Sequence, residues 1–329
     1  MNAILTETGT IKAVRIHSFG GPEALRLEDV PSPTPAPNEV LVRVHAAGVN
    51  PFDWKVCEGQ LGPLPMPRTL GYDFSGIVEA LGLGVTDFSV GQPVFGHSDG
   101  GGAFAELVAV PVCGLASKPT SVDDIEAAAT PLCALTAWQA LFEVGNLQTG
   151  QKVLIHGGAG GVGTFAVQLA LRRGACVIAT GSGRNLPFLR RLGVHQVIDH
   201  TTSCLEDAVK SVDVVLDLIG GETQDHSWRV IKTGGRLVST VSAPSQAKAL
   251  LCGVRAWKIQ TRTRSDELAL MGDLIANGEI KVTVDTVLPL FRASEALELS
   301  RRGHVRGKIV LTVDQDAGPP DFQQWVAES

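Results

Sequence analysis

The sequence predicts an α/β protein built from a doubly wound parallel sheet and a second, smaller β-rich unit. Three observations carry this. Residues 152–173, KVLIHGGAGGVGTFAVQLALRR, run as strand, glycine turn and helix. Before residue 125 the chain is a series of short apolar segments broken by Gly and Pro, the pattern of a small barrel. From there to about residue 282 strand-like and helix-like segments alternate, as a parallel sheet with crossover helices requires. The expected division is 1–125, completed by 283–329, for the β-rich unit, and 126–282 for the parallel sheet.

Taken in order, a tail to about Gly9 precedes Ile11 to Ile16, a strand by its apolar content. Leu25 to Val30 alternates in a β-like way, and Pro31-Ser32-Pro33-Thr34-Pro35-Ala36-Pro37 forms a stiff extended connector. Glu39 to Ala46, EVLVRVHA, alternates cleanly and predicts a half-buried strand. It leads to Ala47-Gly48-Val49-Asn50-Pro51-Phe52-Asp53-Trp54-Lys55. A second apolar and glycine-rich segment runs from Leu70 to Ala80, and a third from Phe88 to Gly96. Asp123 to Ala129 starts a helix with acids at its positive end, and Leu135 to Val144 predicts another that stops at Gly145.

Val153-Leu154-Ile155-His156 is then a short apolar run suited to a buried parallel strand, and Thr164 to Arg173 carries apolar residues at helical spacing. Between them Gly158, Gly160 and Gly163 fall in the spacing GxGxxG, with Ala159, Gly161 and Val162 in between. The first glycine permits a tight turn, the second lets backbone approach a pyrophosphate, and the third allows the helix to pack closely on the strand. The helix beginning near Gly161 turns free N–H groups and a positive dipole end toward the phosphates. GxGxxG alone is a weak signal; with this strand before it and this helix after it, it marks a dinucleotide site.

The next strand, Ala175 to Thr180, bears on which nicotinamide cofactor fits. An acidic residue at its tip would accept the ribose 2′-hydroxyl of NAD and repel a 2′-phosphate. The tip reads Thr180-Gly181-Ser182-Gly183-Arg184-Asn185, with no carboxylate. Ser182 can donate to a phosphate and Arg184 can meet it with a charged fork, so NADPH is expected. Val194 to Ile198, Val212 to Leu216 and Gly235 to Val241 are further strands of the sheet. Thr286 to Leu290, a helix over Ala293 to Arg301 and a last strand, Lys308 to Val313, return to the β-rich unit. Gln315 to Ser329 is expected to be a surface tail.

Composition narrows the function classes. A formal charge of −6 and a pI near 5.8, with no basic stripe, argue against nucleic acid as a partner. No apolar run reaches membrane-spanning length, and the first nine residues lack the features of a secretory signal, so a cytoplasmic protein is expected. Six cysteines without a CxxC fit reduced thiols better than a disulfide framework.

The succession Ala47-Gly48-Val49-Asn50-Pro51, Gly71-Tyr72-Asp73-Phe74-Ser75-Gly76, Pro131 to Trp138, Gly157 to Gly163, and Gly303-His304-Val305-Arg306-Gly307-Lys308-Ile309-Val310 resembles the medium-chain dehydrogenase/reductase superfamily. Within it the chain is similar to the zinc-independent quinone oxidoreductase and alkenal/enone reductase branch, from about Ile11 to Val313. The resemblance implies a GroES-like catalytic domain and a Rossmann domain. It also implies a homodimer and a small-molecule quinone or enone substrate. Asn50 falls where the zinc-dependent members carry their first cysteine ligand, Tyr72 where they carry a histidine, and Leu132 about where the next cysteine stands; Cys113 is isolated where a structural-zinc quartet would lie. Without nitrogen and sulfur donors at these positions no metal is expected. His45, His97 and His156 are the remaining candidates for a different site.

Without a Lewis acid, the acceptor must already be electrophilic: a quinone, or an α,β-unsaturated carbonyl whose enolate needs hydrogen-bond donors and a proton. By analogy with the branch, Asn50 is placed near the substrate carbonyl or the nicotinamide ribose. Lys55 stands where many relatives have tyrosine and either donates to the enolate oxygen or is a solvated charge at the pocket mouth. Asp53 orients the loop. Thr136 matches a position that approaches the nicotinamide end, and His200 one near the adenosine phosphate. Leu218, Ile219 and Gly220 end a strand at the adenine edge, and Val241 and Ser242 one near the nicotinamide. Lys308 is read as closing the barrel strand. Two other classes fit the same pattern: an enoyl reductase acting on a carrier-bound substrate, and an NADPH-binding regulator without turnover.

Overall fold

The computed structural model describes residues 9–313; the tails expected at residues 1–8 and 315–329 lie outside them. The N-terminal region supplies β1 (Thr10–Ile16), β2 (Arg26–Pro31) and β3 (Glu39–Val49), then the short helix α1 (Pro51–Cys57). It continues with β4 (Arg68–Thr69), β5 (Asp73–Leu81), β6 (Pro93–His97), β7 (Leu107–Pro111) and β8 (Leu115–Ser117). β3 is the spine of this part, pairing antiparallel with β5 on one side and with β7 and a late strand on others. Its alternation of buried valines, Val40, Val42 and Val44, with half-exposed Arg43 and His45 follows the period of two read from the sequence.

Helices α2 (Asp124–Ala128) and α3 (Pro131–Trp138) carry the chain toward the second sheet. Asp123 caps α2 by accepting the Glu126 N–H at 2.7 Å. The helix expected over Leu135 to Val144 is divided: α-helical turns end at Trp138, and Gln139–Val144 widens into a π turn before Gly145. There the Gln139 side chain reaches the backbone and Glu267 of a distant segment, with its amide donating to the Arg262 carbonyl and to Glu267, each at 2.7 Å. These long-range bonds accompany a geometry that periodicity does not signal.

β9 (Lys152–Ile155), α4 (Gly161–Arg172), β10 (Cys176–Gly181), β11 (Gln196–Asp199), β12 (Val212–Asp217), β13 (Ile231–Ser239) and β14 (Arg255–Lys258) follow. They form a six-stranded sheet in the order β11-β10-β9-β12-β13-β14, parallel throughout. This is the doubly wound Rossmann arrangement, with the strand order reversing beside β9. Phe165, Val167 and Leu169 of α4 are buried, each side chain worth roughly 1.5–3 kcal/mol of burial. β15 (Val284–Pro289) and β16 (Lys308–Thr312) then return to the first part, where β16 lies antiparallel to β3 with Ile309 opposite Val49 and Leu311 opposite Ala47. The seven-stranded GroES-like sheet therefore holds strands from both ends of the chain.

Candidate active site

The glycine turn is held from both sides. Gly158 N–H donates to the Thr180 carbonyl on β10 at 3.0 Å, and Gly160 N–H closes onto the Gly157 carbonyl at 3.0 Å. From the returning segment, Gly307 N–H donates to the Ala159 carbonyl at 2.9 Å, and Gly160 and Gly307 form an isolated parallel bridge. A Cβ at Gly163 would overlap the Gly157 carbonyl oxygen, so the third glycine is fixed by packing. Around Gly160 there is room, the nearest atom to such a Cβ being the Gly157 oxygen at 3.5 Å. No side chain caps the start of α4, so Gly161 and Val162 open the helix at a terminus suited to a pyrophosphate.

At the tip of β10, Ser182 leads into a turn over Gly183–Asn185 with Arg184 exposed. The Arg184 guanidinium donates to the His304 carbonyl. Arg306 joins it from the returning segment, donating through Nε to Asn185 Oδ1 at 3.0 Å and through Nη2 to the Arg184 carbonyl at 3.3 Å, and lying 5.3 Å over the Phe188 ring. Among the described residues neither guanidinium is paired with a carboxylate. Sequence reasoning missed Arg306 because its partners are 121 and 122 residues away. It also missed Asp199, which β11 brings into register with Gly181 and sets beside Gly183. One oxygen of Asp199 accepts from the N–H and hydroxyl of Thr201 at 3.0 and 2.7 Å. His200 is exposed at the same edge, its N–H bonded to the Gly181 carbonyl at 3.2 Å.

The loops after β12 and β13 are tied by one buried carboxylate. Asp217 accepts from the N–H groups of Ile219 and Gly220 at 3.1 and 2.8 Å through Oδ1, and from Gln224 and Ser239 at 2.9 and 2.8 Å through Oδ2. Leu218 and Ile219 on one loop, Val241 and Ser242 on the next, thus hold a fixed relation at the carboxyl ends of the strands. Thr136 of α3 bonds Thr261 Oγ1 at 2.6 Å, which fixes the segment after β14 against the junction of the two domains.

Below the glycine turn lies a buried polar cluster that joins the two domains. Asn50, 1% exposed, donates through Nδ2 to Asp73 Oδ2 at 2.8 Å, and its Oδ1 accepts from the Lys308 ammonium. Lys308, 3% exposed, also stands 3.4 Å from Asp73 Oδ2. Asp73 is fully buried; its Oδ1 accepts from the Leu132 N–H at 3.1 Å and lies 2.7 Å from His97 Nδ1. Cys133 Sγ is 3.8 Å from Asn50 Oδ1, and both Cys133 and the Lys308 stem pack against Gly161. Asp53 caps α1, accepting the Asn50 N–H at 2.7 Å and the Gly71 N–H at 3.1 Å. Tyr72 fills the neighbouring space, edge-on to Phe52 at 4.8 Å and stacked with His97 at 6.0 Å.

The charges in this cluster decide one another. Burial pushes Asp73 toward protonation, but the Lys308 charge and the bonds from His97 and Asn50 outweigh it and hold the carboxyl below its ordinary value. Burial works against the Lys308 ammonium, yet Cys133, Asp73 and Asp53 together raise its pKa above that of a free lysine. For Asp53 burial wins, driving the carboxyl up to about 7 against the Asn50 and Gly71 N–H donors and the Lys308 charge. Burial raises the Cys133 thiol as well.

The structure thus brings Asn50 and Asp53 together and adds Asp73, His97, Cys133 and Lys308. Asn50 is not turned freely toward a substrate: its oxygen and one amide hydrogen are committed to Lys308 and Asp73. Lys308 does lie on the barrel strand, but its side chain does more than close it. Lys55 is outside the cluster, half-buried with its ammonium 5.4 Å over the Trp54 ring. The three histidines considered for a metal are in separate surroundings. His45 faces Asp124, His97 faces Asp73, and His156 lies between Thr180 and Ser227.

A GroES-like unit joined to a Rossmann sheet, with an uncapped glycine-turn helix over a buried polar cluster at their junction, defines a nicotinamide-dependent oxidoreductase. Comparison with known proteins agrees. The family model of the alcohol dehydrogenase GroES-like domain matches residues 36–120, and that of a zinc-binding dehydrogenase matches residues 192–311. Quinone oxidoreductase of Rattus norvegicus is 30% identical over 320 residues, covering 92% of this chain and 97% of the relative. NADPH-dependent alkenal/one oxidoreductase of Arabidopsis thaliana, a chloroplast protein, is 31% identical over 316 residues, covering 92% and 79%. The structure of the quinone oxidoreductase from Coxiella burnetii superposes with a TM-score of 0.87 at 34% identity, covering 93% of this chain and all of that one. The chain belongs to the medium-chain dehydrogenase/reductase superfamily, in its quinone oxidoreductase and alkenal/one reductase branch, and is an NAD(P)H-dependent oxidoreductase enzyme. Among the described residues no helix is long and apolar enough to cross a membrane.

Proposed function

We propose that the protein reduces a quinone, or the C=C bond of an α,β-unsaturated carbonyl, with NADPH and without zinc. The observation that carries this reading is the Lys308 ammonium, buried against Asn50, Asp73 and Cys133 in the pocket where the zinc-dependent relatives would assemble their metal. A dication placed there would meet a fixed positive charge, an amide already bonded on both sides, and a thiol kept protonated by burial. That donor set does not fit zinc, and an acceptor that is electrophilic without a Lewis acid suits it.

NADPH fits the residues present. The uncapped start of α4 and the open space at Gly160 suit its pyrophosphate, and Ser182, Arg184 and Arg306 its 2′-phosphate; Asp199 beside Gly183 and Asp285, which accepts the Arg306 N–H at 3.3 Å, are opposing charges there. Thr136, Leu218, Ile219, Val241 and Ser242 would line the course of the dinucleotide, with His200 at its adenosine end. When bound, the cofactor supplies a hydride; the chain binds, orients and excludes water. Lys55, its ammonium over the Trp54 ring, would donate to the enolate oxygen or remain a solvated charge, and Asp53 holds the loop of Asn50 in place. The barrel strands up to Ser117 and from Val284 support a division at 125/126 and 282/283. Exposed Leu250 and Leu251, beside the edge strand β14 with Trp257, support a homodimer.

Metal removal tests the zinc-free reading. Dialysis against a strong chelator is expected to leave alkenal or quinone reduction unchanged, with no stoichiometric zinc in the purified enzyme. Loss of activity restored by zinc would contradict it.

A further inference from the structure

We propose that His97, oriented by Asp73, is the proton donor that completes reduction of the substrate. This rests on the reductase reading above and names the group that reading leaves open. Hydride addition to an α,β-unsaturated carbonyl leaves an enolate, and an acid positioned beside it speeds its protonation over water alone. The pocket's other acidic hydrogens are poorly suited. Lys308 is committed to Asn50 and Asp73, and Cys133 is a buried thiol against the same amide. Asp53 has both oxygens turned to backbone N–H groups.

His97 differs in having one nitrogen anchored and the other facing the domain junction. It is only 7% exposed, at the end of β6, opposite Asp73 in the register of β5 and β6. Asp73, ionised beside Lys308, can only accept, so His97 Nδ1 carries the hydrogen of their 2.7 Å contact. Nε2 then points the other way, to within 3.6 Å of Asp99, whose side chain is 79% exposed. Asp99 in turn accepts from Thr263 at 2.9 Å across the junction, two residues beyond the Thr261 that bonds Thr136. The charged and titratable groups around the imidazole are therefore Asp73, Asp99 and Tyr72. Lys308 stands past Asp73, and Arg68 lies 3.4 Å from the Tyr72 hydroxyl.

With NADPH bound at the glycine turn, a hydride (one proton with two electrons) would be supplied to the β-carbon, leaving the alkene π pair in the enolate. The His97 Nε2–H bond then breaks, its electron pair stays on nitrogen, and the proton bonds to the enolate. The neutral imidazole remains held by Asp73, and a solvent proton arriving by way of exposed Asp99 restores the imidazolium. Lys308 is a positioning residue in this scheme, since its charge keeps Asp73 an acceptor.

The test uses the full-length protein and a short 2-alkenal. His97→Asn keeps an N–H for Asp73 but has no acid, and His97→Gln serves if the first variant folds poorly. The expected result is a fall in kcat of about 100-fold, loss of the pH dependence of kcat, and an NADPH dissociation constant, read by fluorescence, within about twofold of wild type. Nitrogen NMR of the cofactor-free wild type is expected to show the hydrogen on Nδ1, with that preference lost in Asp73→Asn. A variant with wild-type kcat and pH profile, or a wild-type imidazole bare at Nδ1, overturns the assignment alone. A wild-type enzyme that reduces neither alkenal nor quinone overturns the reductase reading and this inference together.

Discussion

The ammonium of Lys308 donates to the amide oxygen of Asn50 across 258 residues of sequence, and the contact joins the last strand of the barrel to the loop before its first helix. Both groups are buried, and Asp73 bonds the other end of the amide. The centre of the site is thus a charged pair with a neutral amide held between.

Lys308→Met should strand the Asp73 carboxylate in the core. Removing one partner of such a pair costs about 3–5 kcal/mol, so urea unfolding is expected to shift by that order. Adding Asp73→Asn removes the orphaned charge and should recover a large part of the loss. Equal stability for the single and double variants would show that the pair is not coupled.

Arg184→Ala and Arg306→Ala should each raise KM for NADPH by about tenfold, since a charged hydrogen bond is worth about 1.5–3 kcal/mol. KM for NADH should change little, because no 2′-phosphate is lost. Steady-state kinetics with both cofactors checks this; equal effects on the two would place the arginines away from the phosphate and leave Asp199 as the residue that governs cofactor choice.

The three fingerprint glycines should separate. Gly163→Ala forces a methyl group onto the Gly157 carbonyl and is expected to lower thermal stability by a few kcal/mol, on the scale of about 1–3 kcal/mol for overpacking. Gly160→Ala has space and should fold normally while weakening cofactor binding, measured by NADPH fluorescence.

His156 gives the protein a stability that depends on pH. Burial lowers its pKa from the ordinary value to about 4, against the raising effect of Asp217, while Thr180 and Ser227 hold the ring. The folded state disfavours the proton, so the unfolded chain binds more protons between pH 6.5 and 4. Its contribution is complete above pH 6.5 and is lost as pH falls toward 4, on the order of 3 kcal/mol. Denaturant unfolding of His156→Gln should lack that share of the wild-type decline.

Local pattern made the nucleotide half legible in the sequence. Val153 to Ile155, the GxGxxG turn and the apolar face of α4 are adjacent in the chain, so their chemistry can be seen in one window. Arg255–Lys258 was not legible as a strand because an edge position leaves Arg255, Trp257 and Lys258 exposed, with no apolar run. The π turn after Trp138 depends on Gln139 bonds to residues 262 and 267, beyond any local period. The polar pocket was half legible: Asn50 and Asp53 lie in one motif, whereas Asp73, His97 and Lys308 meet them only through strand register and the return of β16.

The most direct measurement is oxidation of NADPH by the purified protein with a 2-alkenal, a vinyl ketone and a quinone, beside NADP⁺ with a primary alcohol, all in the presence of chelator. Turnover of at least one of the conjugated acceptors is expected, faster with NADPH than with NADH, and none of the alcohol. Alcohol oxidation that requires zinc, with no reduction of any conjugated acceptor, would overturn the zinc-free reductase reading.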